Sequence, residues 1–189
     1  MTYNPDIHLR SSIRLQAYDY SQEGMYFITI CCQGMVCRFG KIKDGEMMLN
    51  ECGKIVDDEW QYVSIKYPQV ALHEYIIMPN HFLAIIEIVG AGSARPDIVD
   101  TEMRAGKPRP YGDGIIVTQG QKRTATVGNI IGYFKYQTTK KIDLPMKLWQ
   151  RNYYEHIIRN AKSYQEISNY IITNPIYWEK DIFYCQEEN

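Results

Sequence analysis

The stretch that decides the fold is YIIMPNHFLAII, residues 75–86. Apolar and β-forming residues fill both of its halves, which predicts two strands. Pro79 lacks a backbone donor, so the chain is expected to bend just before His81 and to expose that side chain on the sheet face. Because strand side chains alternate between faces, His81 and Leu83 are predicted to share one face.

Elements on either side of this stretch follow similar patterns. β-formers after Gly24 predict a strand over residues 24–31, and Asp44-Gly45 is typical of the turn in a hairpin over 39–49. Helices are predicted at about 50–67, 126–142, 152–160 and 163–173, with Asn50 and Ser163 as N-caps. Strands with helices behind them predict an α+β fold with an antiparallel sheet.

Length and composition bound the class of protein. With 189 residues, 45% of them hydrophobic, residues 1–189 are expected to form a single domain. Residues 90–125 are rich in glycine and proline and lack apolar periodicity, which predicts a mobile loop. No apolar run reaches the roughly 18 residues of a membrane span. Because there is no signal-peptide pattern and the five cysteines have no framework spacing, we expect a reduced, cytoplasmic protein.

The net charge of −1 conceals a basic segment. Residues 122–162 carry nine basic side chains against two acidic ones, an excess expected of a surface that binds phosphate groups. Tyr153 and His156 lie in the same segment. On the helix predicted at 152–160 they would share a face, because they are three residues apart.

Several motifs in order along the chain resemble those of a known family. They are Asp19–Phe27, Met78–Phe82, Gly132–Lys135, Trp149–Arg159 and Tyr170–Trp178. Together they closely resemble the single-tyrosine HUH transposases, specifically the branch of REP-associated tyrosine transposases. The resemblance covers about residues 10–180, with 90–125 as its variable part.

The resemblance implies both a fold and an activity. The fold would be an antiparallel sheet of four or five strands backed by helices, with ferredoxin-like or RRM-like topology. Two histidines on a central strand would hold Mg²⁺ or Mn²⁺. A helix tyrosine would attack a phosphodiester of single-stranded DNA near a hairpin, leaving a 5′-phosphotyrosyl link and a free 3′-OH. We also expect a homodimer.

The motifs assign roles to residues of this chain. The nucleophile falls on Tyr153, with Tyr154 as the runner-up, and His81 becomes a metal ligand. His156 would be a further ligand or the proton acceptor. The residues expected to hold the DNA backbone are Lys135, Lys140, Lys141, Arg151 and Arg159.

Leu83 departs from the family pattern, which has a second histidine at this place. Leucine has no donor atom, and losing even an outer-shell partner costs about 10–100-fold in metal affinity or activity. We therefore expect DNA binding with impaired catalysis, unless His156 and a water or carboxylate complete a weaker site. The alternative is a non-catalytic nucleic-acid-binding or regulatory module on the same scaffold. A small-molecule enzyme is disfavoured because no glycine-rich phosphate loop is present.

Overall fold

A computed structural model of the chain describes residues 23–89 and 126–184, which form six strands and three α-helices. The strands are β1 Gly24–Cys31, β2 Gly40–Lys43, β3 Glu46–Leu49, β4 Val70–Ile77, β5 His81–Ile88 and β6 Tyr154–Ile158. The helices are α1 Glu51–Lys66, α2 Val127–Ile142 and α3 Ala161–Thr173, with 3-10 segments at Gln33–Met35 and Asn174–Lys180.

The main sheet has four strands in the order β4-β5-β1-β6, and every neighbouring pair is antiparallel. Helix α1 connects β1 to the β4–β5 pair by way of the separate β2–β3 hairpin, and α2 lies between β5 and β6. This strand order with two crossover helices is that of a ferredoxin-like fold. The predicted α+β class and antiparallel sheet are therefore confirmed.

The sheet separates two apolar cores. On one face, Phe82 of β5 packs with Trp60 of α1 and Phe134 of α2, and their ring centroids lie 4.7 to 5.1 Å apart. On the other face, Leu83 and Ile85 pack with Ile171 of α3. Alternation along β5 produces this division, because successive side chains point to opposite faces.

Local signals identified most of the other elements. The Asn50 side chain caps α1 by accepting a hydrogen bond from Gly53 N at 3.0 Å. Asp44 and Gly45 both have positive φ, 53° and 78°, as a type I′ hairpin turn requires. The cap predicted for α3 is wrong: Asn160 is the N-cap and accepts from Ser163 N at 2.8 Å, so the helix begins at Ala161.

The helix predicted at 152–160 is wrong, because this segment contains strand β6. Its residues are aromatic or β-branched at most positions, which suits a strand. Pairing with β1 also satisfies backbone groups that would otherwise remain open at the edge of the sheet. A short run of this composition is compatible with either a helix or a strand. It forms a strand here because β1 offers a free edge for pairing.

Three further sequence predictions concern the loop at 90–125, membrane-spanning helices and the cysteines. The predicted mobile loop at 90–125 lies outside the described residues. Within residues 23–89 and 126–184, no helix is long and apolar enough to cross a membrane. Among the described cysteines, Cys31, Cys32 and Cys52 are free, whereas Cys37 is disulfide-bonded, so the expectation of a fully reduced chain is wrong at that position.

Candidate active site

His81 is held in one tautomer by its neighbour. Its Nδ1 lies 2.9 Å from Asn80 Oδ1, and Asn80 Nδ2 donates to the carbonyls of Met35 and Phe183 at 3.1 and 2.7 Å. Because the amide nitrogen is used as a donor, Oδ1 must accept, and His81 Nδ1 carries the proton. The lone pair is therefore on Nε2, which is buried without a hydrogen-bond partner among the described residues.

The end of the described chain covers His81. The rings of Phe183 and Trp178 lie 4.7 and 6.0 Å from the imidazole, centroid to centroid. The side chain is 0% exposed, so the prediction that the bend at Pro79 exposes it is wrong. The bend exists, but residues 178–183 pack over the face that it would have opened.

This environment gives His81 a pH signature. Burial lowers its pKa from 6.5 to about 4, with nearby Asp181 opposing the shift. In the unfolded chain this histidine is protonated below about pH 6.5, whereas in the folded protein it stays neutral down to about pH 4. The free energy of unfolding therefore falls as the pH falls through this window. We expect a loss of about 3 kcal/mol, measured by urea unfolding in EDTA at pH 7 and pH 4. His81→Gln should flatten this dependence, and an unchanged dependence in that variant would contradict the assignment.

A second group of side chains comes from the C-terminal end of α3. Tyr170 Oη donates to Asp181 Oδ2 at 3.2 Å, and Asn174 Nδ2 donates to the same oxygen at 2.8 Å. Asn174 Oδ1 is buried without a hydrogen-bond partner among the described residues. Asp181 Oδ1 also accepts a hydrogen bond from Phe183 N at 2.7 Å, and the Phe183 ring packs on His81, so Asp181 lies between the helix tyrosine and the surroundings of the strand histidine.

Tyr170 lies on the His81 face of the sheet. Its ring meets Phe27 edge to face with centroids 6.3 Å apart, and Phe27 belongs to the core between the sheet and α3. Burial, followed by the Asp181 charge and hydrogen bond, raises the pKa of Tyr170 to about 12. The phenol is therefore protonated at neutral pH, with a carboxylate in place to receive its proton.

The tyrosines predicted from sequence are placed differently. Tyr153 packs against the core beneath α1 and α2, so the sheet separates it from His81. Tyr154 pairs with Thr29 and His156 with Phe27, which places Tyr154 and His156 on the His81 face. The predicted common face of Tyr153 and His156 is therefore wrong, because a strand sends residues three apart to opposite sides.

His156 is too far from His81 to share an ion with it. His81 lies opposite Cys31, four residues along β1 from the partner of His156. At about 3.4 Å per residue and 4.8 Å per strand, the two backbones are roughly 17 Å apart. Leu83 does share a face with His81, as predicted, and lies buried in the core beneath α3.

The predicted DNA-binding residues divide into two groups. Lys135 Nζ donates to the carbonyls of Gln150 and Arg151 at 2.6 and 3.0 Å, and burial lowers its pKa. Lys141 pairs with the buried carboxylate of Glu59, a hydrogen bond that raises the lysine pKa. These two lysines have partners inside the fold. Lys141 is nevertheless exposed, as are Lys140, Arg151 and Arg159 of the predicted set.

Lys135→Met should therefore lower stability. The substitution removes the donor for two carbonyls and is expected to cost about 1–3 kcal/mol in urea unfolding. Lys140→Met, on the same helix but exposed, is the matched control and should change stability by less than about 0.5 kcal/mol. Equal stability of the two variants would show that Lys135 does not hold the chain at Gln150 and Arg151.

Sequence reasoning did not single out Tyr170, Asn174 and Asp181, which the structure brings together. Tyr170 and Asn174 are four residues apart and follow one helical face, a signal that could have identified them as a pair. Asp181 carries no such signal, because it follows the helix and reaches its partners only through the fold.

Comparisons with known proteins find a relative in sequence and a similar fold among solved structures. No protein-family model matches the chain. An uncharacterized protein of Haemophilus influenzae is 43% identical over 187 residues, covering 96% of this chain and 97% of that protein. The solved structure of a REP-associated tyrosine transposase bound to a REP hairpin is similar with a TM-score of 0.52 at 19% identity. That match covers 87% of this chain and 73% of the transposase. It confirms the fold that the sequence resemblance implied.

Proposed function

We propose that this chain, which belongs to the same protein family as the Haemophilus influenzae protein, binds hairpin-forming single-stranded DNA as a transposase-like protein. The observation that carries the proposal is the grouping of His81, Tyr170, Asn174 and Asp181 on one face of a transposase-like sheet. A strand histidine facing a helix tyrosine is the arrangement expected from the sequence, with Tyr170 in place of Tyr153.

We propose that donors on this face hold Mg²⁺ or Mn²⁺. His81 Nε2 and Asn174 Oδ1 are buried atoms without hydrogen-bond partners among the described residues, and Asp181 contributes an anionic carboxylate. No group of three or more His, Cys, Asp or Glu side chains within residues 23–89 and 126–184 is spaced to hold a metal. Coordination would therefore depend on the Asn174 amide and on water. A bound ion would polarise the scissile phosphate and offset its developing charge.

Tyr170 is the nucleophile in this proposal. Its Oη attacks the phosphorus, the bond between phosphorus and O3′ breaks, and the DNA is left attached through a 5′-phosphotyrosyl link. Asp181 Oδ2 already accepts a hydrogen bond from Tyr170 Oη and takes up its proton, because a phenol with a pKa of about 12 needs a base. The leaving O3′ gains a proton from water and becomes a free hydroxyl.

The exposed basic residues predicted from the sequence would bind the DNA backbone. Arg151 and Arg159 flank β6, and Lys140 lies in the last turn of α2. Exposed side chains of this kind neutralise phosphates, which makes affinity fall with salt concentration. The homodimer expected from the sequence stays a prediction.

A second candidate function is a non-catalytic DNA-binding module. Two observations favour it: Leu83 supplies no metal ligand, and Phe183 and Trp178 cover His81 completely. A phosphate could reach His81 Nε2 only after residues 178–183 move. The two candidates share the DNA-binding surface and differ in whether the chain forms a covalent adduct.

Binding to DNA hairpins tests what both candidates share. The purified protein with Mn²⁺ should bind a hairpin with single-stranded flanks more tightly than a blunt duplex of equal length. Its affinity should fall linearly on a log scale as salt rises. Fluorescence anisotropy measures both properties. If neither single-stranded nor hairpin DNA binds in a salt-dependent way, the proposal fails.

A further inference from the structure

The His81 face of the sheet is covered unevenly. Helix α3 packs against β4 and β5, where Leu83 and Ile85 are fully buried. Beyond β1, the same face remains open along the first part of β6. Tyr154 is 48% exposed there, and His156, two residues on, is also exposed. We call Tyr154, His156 and Phe27 the open row. Phe27 pairs with His156 on one side and contacts the Tyr170 ring on the other.

The open row has the composition of a surface for unpaired bases. Tyr154 and His156 point the same way from one strand, since they pair with Thr29 and Phe27 of β1. Tyr170, in edge contact with Phe27, is 41% exposed at the far end of the row. Exposed rings at this spacing can each stack on a base without regard to its sequence.

The charges around the open row match a nucleic acid strand. Exposed Arg151 precedes β6 and exposed Arg159 follows it, while Lys162 lies exposed in the first turn of α3. The one acidic residue of β6, Glu155, alternates with Tyr154 and His156 and so belongs to the opposite face. Aromatic rings framed by basic side chains are the common arrangement for single-strand binding.

We propose that Tyr154 and His156 form a stacking platform for unpaired bases of a DNA single strand that leads across β1 to Tyr170. This inference rests on the proposed function and adds to it a place for the flank of the hairpin. The platform positions bases rather than reacting with them. It therefore gives Tyr154 and His156 a role that needs no ion shared with His81.

Affinity for a single strand tests the platform. The probe is fluorescent oligo-dT of 12 nucleotides, measured by anisotropy at fixed salt. Loss of one stacked base corresponds to a roughly 5- to 150-fold higher dissociation constant, which we expect for Tyr154→Ala and for His156→Ala. Tyr154→Phe keeps the ring and should bind like the wild type. Tyr136→Ala, at a 62% exposed tyrosine of α2, is the matched control and should leave binding unchanged.

Salt dependence separates stacking from charge. Tyr154→Ala should weaken binding without changing the slope of log affinity against log salt concentration. Arg151→Gln should reduce that slope by about one, the contribution of one phosphate contact. The platform is overturned if Tyr154→Ala binds oligo-dT as Tyr136→Ala does. It is also overturned if Tyr154→Ala splits a dimer in the absence of DNA, since the row would then be a protein interface. A more than tenfold preference for oligo-U would overturn the assignment to DNA.

The platform and the proposed function fail in different ways. If the wild-type protein binds neither hairpin nor single-stranded DNA, both the proposed function and the platform are contradicted. A wild-type protein that binds hairpins normally, with Tyr154→Ala and His156→Ala unaffected, removes only the platform.

Discussion

Tyr170→Phe should abolish covalent attachment of the protein to DNA. The substitution deletes the one oxygen that is proposed to attack phosphorus, while the ring can keep its edge contact with Phe27. We expect no adduct above background, and hairpin affinity within about threefold of the wild type because the phosphate-binding residues are untouched. The measurement is a denaturing gel of protein incubated with end-labelled hairpin DNA and Mn²⁺, in which an adduct migrates with the protein.

Tyr153→Phe and Tyr154→Phe are the matched controls. Tyr153 lies beneath α1 and α2 on the other side of the sheet, and Tyr154 retains its ring in the phenylalanine variant, so both should still form the adduct. Loss of the adduct in Tyr154→Phe, with Tyr170→Phe active, would reverse the assignment. If the wild-type protein binds the hairpin but forms no adduct, the non-catalytic candidate is favoured.

Local patterns predicted the elements whose identity is set within the chain segment itself. The β-forming residues of 75–86 predicted both strands, and alternation predicted the common face of His81 and Leu83. The Asp44-Gly45 pair predicted the hairpin. Asn50 gave the start of α1. These features depend on neighbours within a few residues, which is the range over which propensity and capping act.

Apart from the N-cap of α3, the main errors concern contacts between distant segments. Strand β6 depends on the edge of β1, which lies about 125 residues earlier in the sequence, and the run around Tyr154 contains no signal for that partner. Charge counting could not reveal that Lys135 and Lys141 have partners inside the fold. The cover over His81 rests on Phe183, whose carbonyl accepts from Asn80 across 103 positions.

The candidate site also combines local features, which the sequence predicts, with tertiary contacts, which it does not. A resemblance between motifs located the His81 strand correctly, because that motif is local. It could not show which of the tyrosines shares a face with His81. That face is fixed by the register of β6 and by the packing of α3, both of which are tertiary properties.

Leu83→His should raise the affinity for Mn²⁺ by at least about 10–100-fold. The new imidazole would lie two residues from His81 on the same face, in the core beneath α3. Without metal, the variant should lose about 2–5 kcal/mol of stability, as other losses of a buried aliphatic side chain do. Mn²⁺ should then restore part of that loss, because a ligand that binds only the folded state stabilises it. Calorimetric titration and thermal unfolding with and without Mn²⁺ measure the two effects.

Ile85→His is the control that separates metal binding from damage to the core. Ile85 is equally buried, on the same strand and the same face, but lies four residues from His81, or about 13 Å along β5. It should lose similar stability and regain none with Mn²⁺. If both variants respond alike to Mn²⁺, position 83 does not adjoin a cation site. The buried Nε2 of His81 would then belong to the packing beneath Phe183, and the chain would act through DNA binding alone.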